Sequence, residues 1–135
     1  MPYGSQGVPR IPDEIDLSPV QFLAYAQSLI DQGLAFHAHE VLEAAWKSSP
    51  TDEKPLWQGL AQLAVGITHV QRGNFDGAIA VLGRASGGLA SVDRPAPYAV
   101  DVAGLIDYLA TLGLDLAARA EIGAERLRPA LTLPT

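Results

Sequence analysis

The residues best equipped for chemistry stand in one run, Phe36-His37-Ala38-His39-Glu40-Val41-Leu42-Glu43-Ala44-Ala45-Trp46. A helix places residues i and i+4 one above the other on the same face. His39 and Glu43 therefore stack, on the stripe that also carries Phe36, Leu42 and Trp46. That stripe has the apolar spacing of a core face. Burying an imidazole and a carboxylate costs several kcal/mol unless they are paired or bind a metal. The pattern thus demands a partner.

A second helical segment offers one. Gln58, Gln62 and His69 fall within one narrow stripe at the ~100° step per residue of a helix, while Leu60, Leu63, Ile67 and Val70 form the apolar face. If the two polar stripes meet, His39, Glu43 and His69 make a two-histidine, one-carboxylate set. Such a set suits one divalent transition metal, Zn, Mn, Fe or Ni. The metal would acidify a bound water, with Glu40 at the edge of the site as proton acceptor or further ligand. Gln62 could orient that water. The competing reading is a structural network in which His39 donates to Glu43 or to a carbonyl, His69 bonds a glutamine, and the helix register is fixed.

Other residues carry weaker signals. His37 lies on the far side of its helix from Phe36 and Trp46, which suits a solvated side chain. Trp46 and Trp57 can line a pocket, although large aromatics at this spacing commonly fill a core. Arg72 suits the negative dipole end of its helix and could equally hold an anionic ligand at the bundle mouth. Gln58, Gln62, Trp46 and Arg72 are therefore the binding candidates. The run is not a zinc-protease His-Glu-x-x-His, because position 43 is Glu. No glycine-rich phosphate loop follows a strand, and no serine sits in a nucleophile elbow.

The elements that must position these groups read as helices throughout. Ser18-Pro19 is an N-cap followed by proline at the first helical position, and helix one runs from about Pro19 to Gln32 before Gly33. Helix two covers about Ala35 to Ser48 and stops at Ser49-Pro50. Thr51-Asp52 caps helix three, which closes at Gly73. Asn74 caps helix four, which weakens at Gly87-Gly88. Asp93 to Pro97 is a loop, and Asp101 caps helix five, with Val102, Leu105, Ile106, Leu109 and Leu112 inward. Asp115 could cap a short last helix over Leu116 to Arg126, ahead of Pro129 and a frayed end. No alternation marks a strand. The fold class is all-α.

A shift of forty residues superposes two helical hairpins. Gly33 falls on Gly73, Ala38 on Ala78, Val41 on Val81, Leu42 on Leu82, Ala45 on Ala85 and Ala26 on Gly66. Small residues at such places let antiparallel helices approach closely, as in tetratricopeptide repeats. Two units are too few for a solenoid, so a compact bundle of two such hairpins plus a C-terminal helix is expected. The organisation would be an extended lead-in over 1–17, the bundle over 18–113, and a short helix with a frayed tail over 114–135.

Composition narrows the function classes. The chain has 135 residues, 9 Lys plus Arg against 15 Asp plus Glu, and a formal net charge of −6. A nucleic-acid footprint needs basic charge, so no nucleic acid is expected as a partner. With no cysteine, disulfides, zinc ribbons and thiol nucleophiles drop out. No apolar stretch reaches the roughly 18–20 residues of a membrane span, and no signal-peptide pattern opens the chain. The expectation is a cytoplasmic protein with no membrane partner and, from its apolar fraction, a possible protein partner or homodimer.

The run His39-Glu40-Val41-Leu42-Glu43 with Trp46, then Gln58-Gly59-Leu60 with Gln62-Leu63-Ala64, then His69 and Arg72-Gly73-Asn74 with Gly77-Ala78, resembles the domain-of-unknown-function family 309. The resemblance covers about Phe22 to Leu112. It implies a small all-helical bundle of the kind found in bacteria and archaea. It also implies a shared His/Glu site, at His39, Glu40, Glu43, Gln58, Gln62 and His69, for which the family is sometimes described as predicted metal-dependent hydrolases. Neither metal nor substrate follows. The favoured reading is a non-catalytic binding or scaffold module; the alternative is a metal-dependent hydrolase with His39, Glu43 and His69 as ligands and Glu40 as base.

Overall fold

The computed structural model describes residues 15–134. The lead-in expected over 1–17 therefore falls, except for its last three residues, outside the described residues. Five helices follow in order: α1 (Pro19–Asp31), α2 (Ala35–Ser48), α3 (Lys54–Gln71), α4 (Phe75–Ala90) and α5 (Val102–Ala117). Short 3₁₀ turns stand at Thr51–Glu53, Pro97–Ala99 and Ala124–Leu127. Among the described residues there is no strand, only an isolated antiparallel bridge between Val100 and Thr132. The fold is all-α.

Local chemistry sets the helix starts. Ser18 accepts from the Gln21 amide at 3.2 Å while the Gln21 side chain accepts from the Ser18 amide at 2.9 Å, a complete capping box with Pro19 at the first helical position. Asn74 and Asp101 cap α4 and α5 by accepting from Gly77 N at 3.1 Å and Gly104 N at 3.0 Å. Thr51 and Asp52, expected to cap α3, instead form the 3₁₀ turn that leads into it.

The forty-residue repeat is present in the turns. Gly33 and Gly73 have φ of 79° and 77°, the left-handed region that glycine enters without a Cβ penalty. Gly33 N bonds Ile30 O at 2.9 Å and Leu34 N bonds Leu29 O at 2.8 Å; forty residues on, Gly73 N bonds Val70 O at 3.0 Å and Asn74 N bonds His69 O at 2.9 Å. Both are Schellman closures, in which the freed terminal carbonyls are satisfied as the chain reverses.

Each helix packs on the next in sequence, α1 on α2, α2 on α3, α3 on α4 and α4 on α5. α3 sits between two neighbours, and Leu56, Trp57, Leu60, Leu63, Ala64 and Ile67 on it are buried. Its approach to α4 is close: a Cβ at Gly66 would lie 2.3 Å from Leu82 Cδ2, and one at Gly59 would lie 2.9 Å from Leu89 Cδ2.

Three expectations for the second half are corrected. α4 does not weaken at Gly87-Gly88 but continues to Ala90, because Gly88 faces the α3 backbone near Gly59 and Leu89 is fully buried. α5 runs through Gly113 to Ala117, so no separate helix spans Leu116 to Arg126. The end described here is not frayed: Leu131 is fully buried and Leu127 nearly so. Asp101 N donates to Leu131 O at 2.9 Å and Leu133 N to Ala99 O at 2.8 Å, so the segment folds back beside the loop before α5.

A candidate binding site between the second and third helices

α2 carries two distinct stripes. Ala38, Val41, Leu42 and Ala45 form its core face and are essentially inaccessible. Beside them, Phe36, His39, Glu43 and Trp46 form a stripe that is only partly covered. The expectation that this stripe belongs to the core face is corrected: Phe36 is 44% exposed and the Glu43 side chain 49%. A half-exposed carboxylate keeps much of its hydration, which removes the large burial cost that the sequence pattern implied.

α3 answers with Gln58, Ala61, Gln62 and Val65, four positions on the adjoining turns of one helix face. Together with His39, Glu43 and Trp46 they enclose a cavity of about 190 Å³. Five of the residues singled out by type and spacing, His39, Glu43, Trp46, Gln58 and Gln62, thus share one site. Ala61 and Val65 complete the wall; they lie three residues after Gln58 and three after Gln62, a spacing that marks them as neighbours once the α3 stripe is taken as a lining rather than a network.

His39 Nε2 lies 3.8 Å from Glu43 Oε2, too far for a direct hydrogen bond. The other ring nitrogen of His39, Nδ1, is buried with no hydrogen-bond partner among the described residues. Its ring stands 5.8 Å from that of Phe36. Outside the lining, the Lys54 ammonium sits 5.2 Å from the Trp46 ring centroid and donates to the Trp46 and Ser49 carbonyls, closing the C-terminus of α2.

The remaining candidates lie elsewhere. His69 does not join His39 and Glu43. It is seven residues beyond Gln62, about 10 Å along the helix at ~1.5 Å per residue, and its Nδ1 pairs with Asn74 Nδ2 at 3.2 Å. Angular register put His69 on the right stripe; axial offset takes it past the site. Arg72 stacks its guanidinium 5.5 Å from the Phe36 ring centroid, outside the cavity lining. Glu40 is half-buried on α2 and does not line the cavity either. Trp57 is buried in the core, with its indole N–H donating to Glu53 Oε1 at 3.1 Å.

The three-ligand metal set is therefore not assembled. Among the described residues no group of three or more His, Asp and Glu side chains stands together as a metal ion requires. The described residues do not fit such a three-ligand centre.

Fold and site define a small helical bundle with a polar cavity between its second and third helices. Residues 23–81, which contain every cavity-lining side chain, match the family described as Domain of unknown function (DUF309), and the resemblance carried by the His39-to-Gly77 motif is shown over that segment. The chain is 40% identical over 62 residues to the Uncharacterized protein YpuF of Bacillus subtilis (strain 168), a match covering 40% of this chain and 36% of that relative. This chain thus spans little more than a third of the relative it matches. No solved structure matches the chain. No helix of the described residues is long and apolar enough to cross a membrane.

Proposed function

We propose that this protein is a binding module whose ligand site is the α2–α3 cavity. The observation that supports it most directly is convergence: five polar or aromatic residues from two helices line one concavity, and one of them, His39, has a buried ring nitrogen without a hydrogen-bond partner among the described residues. Small-molecule pockets of drug size occupy about 300–1,000 Å³. A cavity of about 190 Å³ suits a single side chain or headgroup better than a nucleotide or other large cofactor.

On this reading the paired hairpins act as tetratricopeptide-like packing units that hold the lining rigid, and the occupant is either a small molecule or one side chain of a protein partner or second copy. The acidic balance of the chain accords with a cytoplasmic module that does not engage nucleic acid. The metal-dependent hydrolase implied by the family resemblance rests here on the His39–Glu43 pair alone and would need a further ligand from outside the described residues.

The test is a fragment screen followed by NMR. Ligands of the site shift the side-chain amides of Gln58 and Gln62 and the Trp46 indole, and Ala61→Leu, which fills the cavity, removes those shifts while the rest of the spectrum persists. Fragments that bind the wild type and Ala61→Leu equally would refute the site.

A further inference from the structure

We infer that the cavity selects a cation, a primary ammonium or a guanidinium carried on a short alkyl stem. This rests on the binding-site reading and adds the charge and shape of the occupant.

Charge comes first. Of the groups lining the cavity, only Glu43 is an acid, and neither Lys nor Arg is among them. Lys47, one turn beyond Glu43 on α2, is exposed and outside the lining. Lys54 donates to carbonyls at the end of α2, and Arg72 stacks on Phe36. An anionic occupant would face the Glu43 carboxylate with no Lys or Arg in the lining to offset it. A cation meets that carboxylate directly, and a hydrogen bond to a charged acceptor is stronger than a neutral one.

Hydrogen-bond capacity points the same way. Ammonium and guanidinium groups present three and five donors and no acceptor. The lining carries matching acceptors in the Glu43 carboxylate and in the side-chain amides of Gln58 and Gln62, which can turn their oxygens toward a donor. The 3.8 Å between His39 Nε2 and Glu43 Oε2 is longer than a direct hydrogen bond, and the half-exposed carboxylate can accept from an incoming donor.

Shape supplies the stem. Ala61 and Val65 make an apolar wall, and Trp46 adds an aromatic surface. Alkyl chains of Lys and Arg lie along such surfaces while their heads reach polar groups. The volume admits one such chain.

The experiment is an NMR titration of the full chain with butylguanidinium, butylammonium and the neutral isostere butylurea, repeated on Glu43→Gln and Ala61→Leu. The cations should shift the Gln58, Gln62 and Trp46 side-chain signals at roughly tenfold lower concentration than butylurea, the preference expected of one charge-assisted contact. Glu43→Gln should remove the preference and Ala61→Leu the binding. Butylurea matching the cations, or a preference surviving Glu43→Gln, would overturn the inference and leave the binding site standing. No cavity response to any probe overturns both. A blocked peptide with one central Lys or Arg distinguishes the source: tighter binding than the butyl cation assigns a partner's side chain, weaker binding a free amine.

Discussion

The side chain of Gln27 on α1 holds the backbone of Leu131, 104 residues away, by accepting from its amide at 2.8 Å. The same side chain donates to Pro129 O at 3.0 Å and to Asp31 Oδ1 at 3.0 Å. One amide thus reads both a donor and an acceptor of the returning segment, and it fixes the register in which Leu131 enters the core.

Gln27→Ala should therefore cost about 1–3 kcal/mol, the range for stranding a half-buried backbone group. Leu131→Ala should cost about 2–5 kcal/mol as a fully buried leucine. Urea unfolding reports both. Hydrogen exchange at the Leu131 amide separates them from a general loss: Gln27→Ala should deprotect it while core amides of α3 keep their protection. Unchanged exchange there would show that the clamp contributes nothing.

Gly66 and Leu82 set the α3–α4 spacing. Alanine normally favours a helix over glycine by about 1 kcal/mol, yet a Cβ at Gly66 meets Leu82 Cδ2 at 2.3 Å and Cγ at 2.7 Å. Overpacking should win, and Gly66→Ala should destabilise by about 1–3 kcal/mol. The penalty should shrink in a Leu82→Ala background, where the clash is gone. Gly83 and Gly87 serve as the contrast. Nothing lies within 4 Å of a Cβ there, so alanine at either should stabilise by about 0.4–1 kcal/mol.

Two tyrosines link stability to alkaline pH. Tyr98 donates to Glu53 Oε2 at 2.7 Å, and this bond, then desolvation and the charges of Glu53 and Asp52, pushes its pKa from 10.0 up to about 12. Burial raises Tyr108 to about 12, partly countered by Arg126. A tyrosine raised on folding contributes stability that is whole below its unfolded pKa and is lost as pH climbs through the folded one. Stability should thus fall between about pH 10 and 12 as these groups ionise. Tyrosinate absorbance in Tyr98→Phe and Tyr108→Phe checks the assignment: each variant should lose part of the late titration.

Glu43 belongs to function rather than stability in this reading. Its side chain is 49% exposed and 3.8 Å from His39, and such surface pairs contribute about 0–1 kcal/mol. Glu43→Gln should leave the melting curve within about 0.5 kcal/mol of wild type. A loss of several kcal/mol would mean instead that the pair is structural.

The helices themselves were legible from the sequence because their signals are local. Ser18-Pro19, Asn74 and Asp101 satisfy amides within their own first turn, Gly33 and Gly73 take a positive φ that other residues avoid, and the i, i+4 spacing of His39 and Glu43 follows from helix geometry alone. The polar stripe of α3 was equally visible, since angular position depends only on residue count. Tertiary structure decided what local rules cannot. The relative slide of α2 and α3 brings Gln58 and Gln62, not His69, opposite His39 and Glu43, because which turns face each other depends on the packing of the buried faces behind them. The pairing of Gln27 with Leu131 is likewise invisible in a one-dimensional reading: both partners are ordinary residues, and only the folded chain places them within one hydrogen bond. The same holds at Gly88 and Gly113, where glycine reads as a stop in isolation but helix packing carries the chain through.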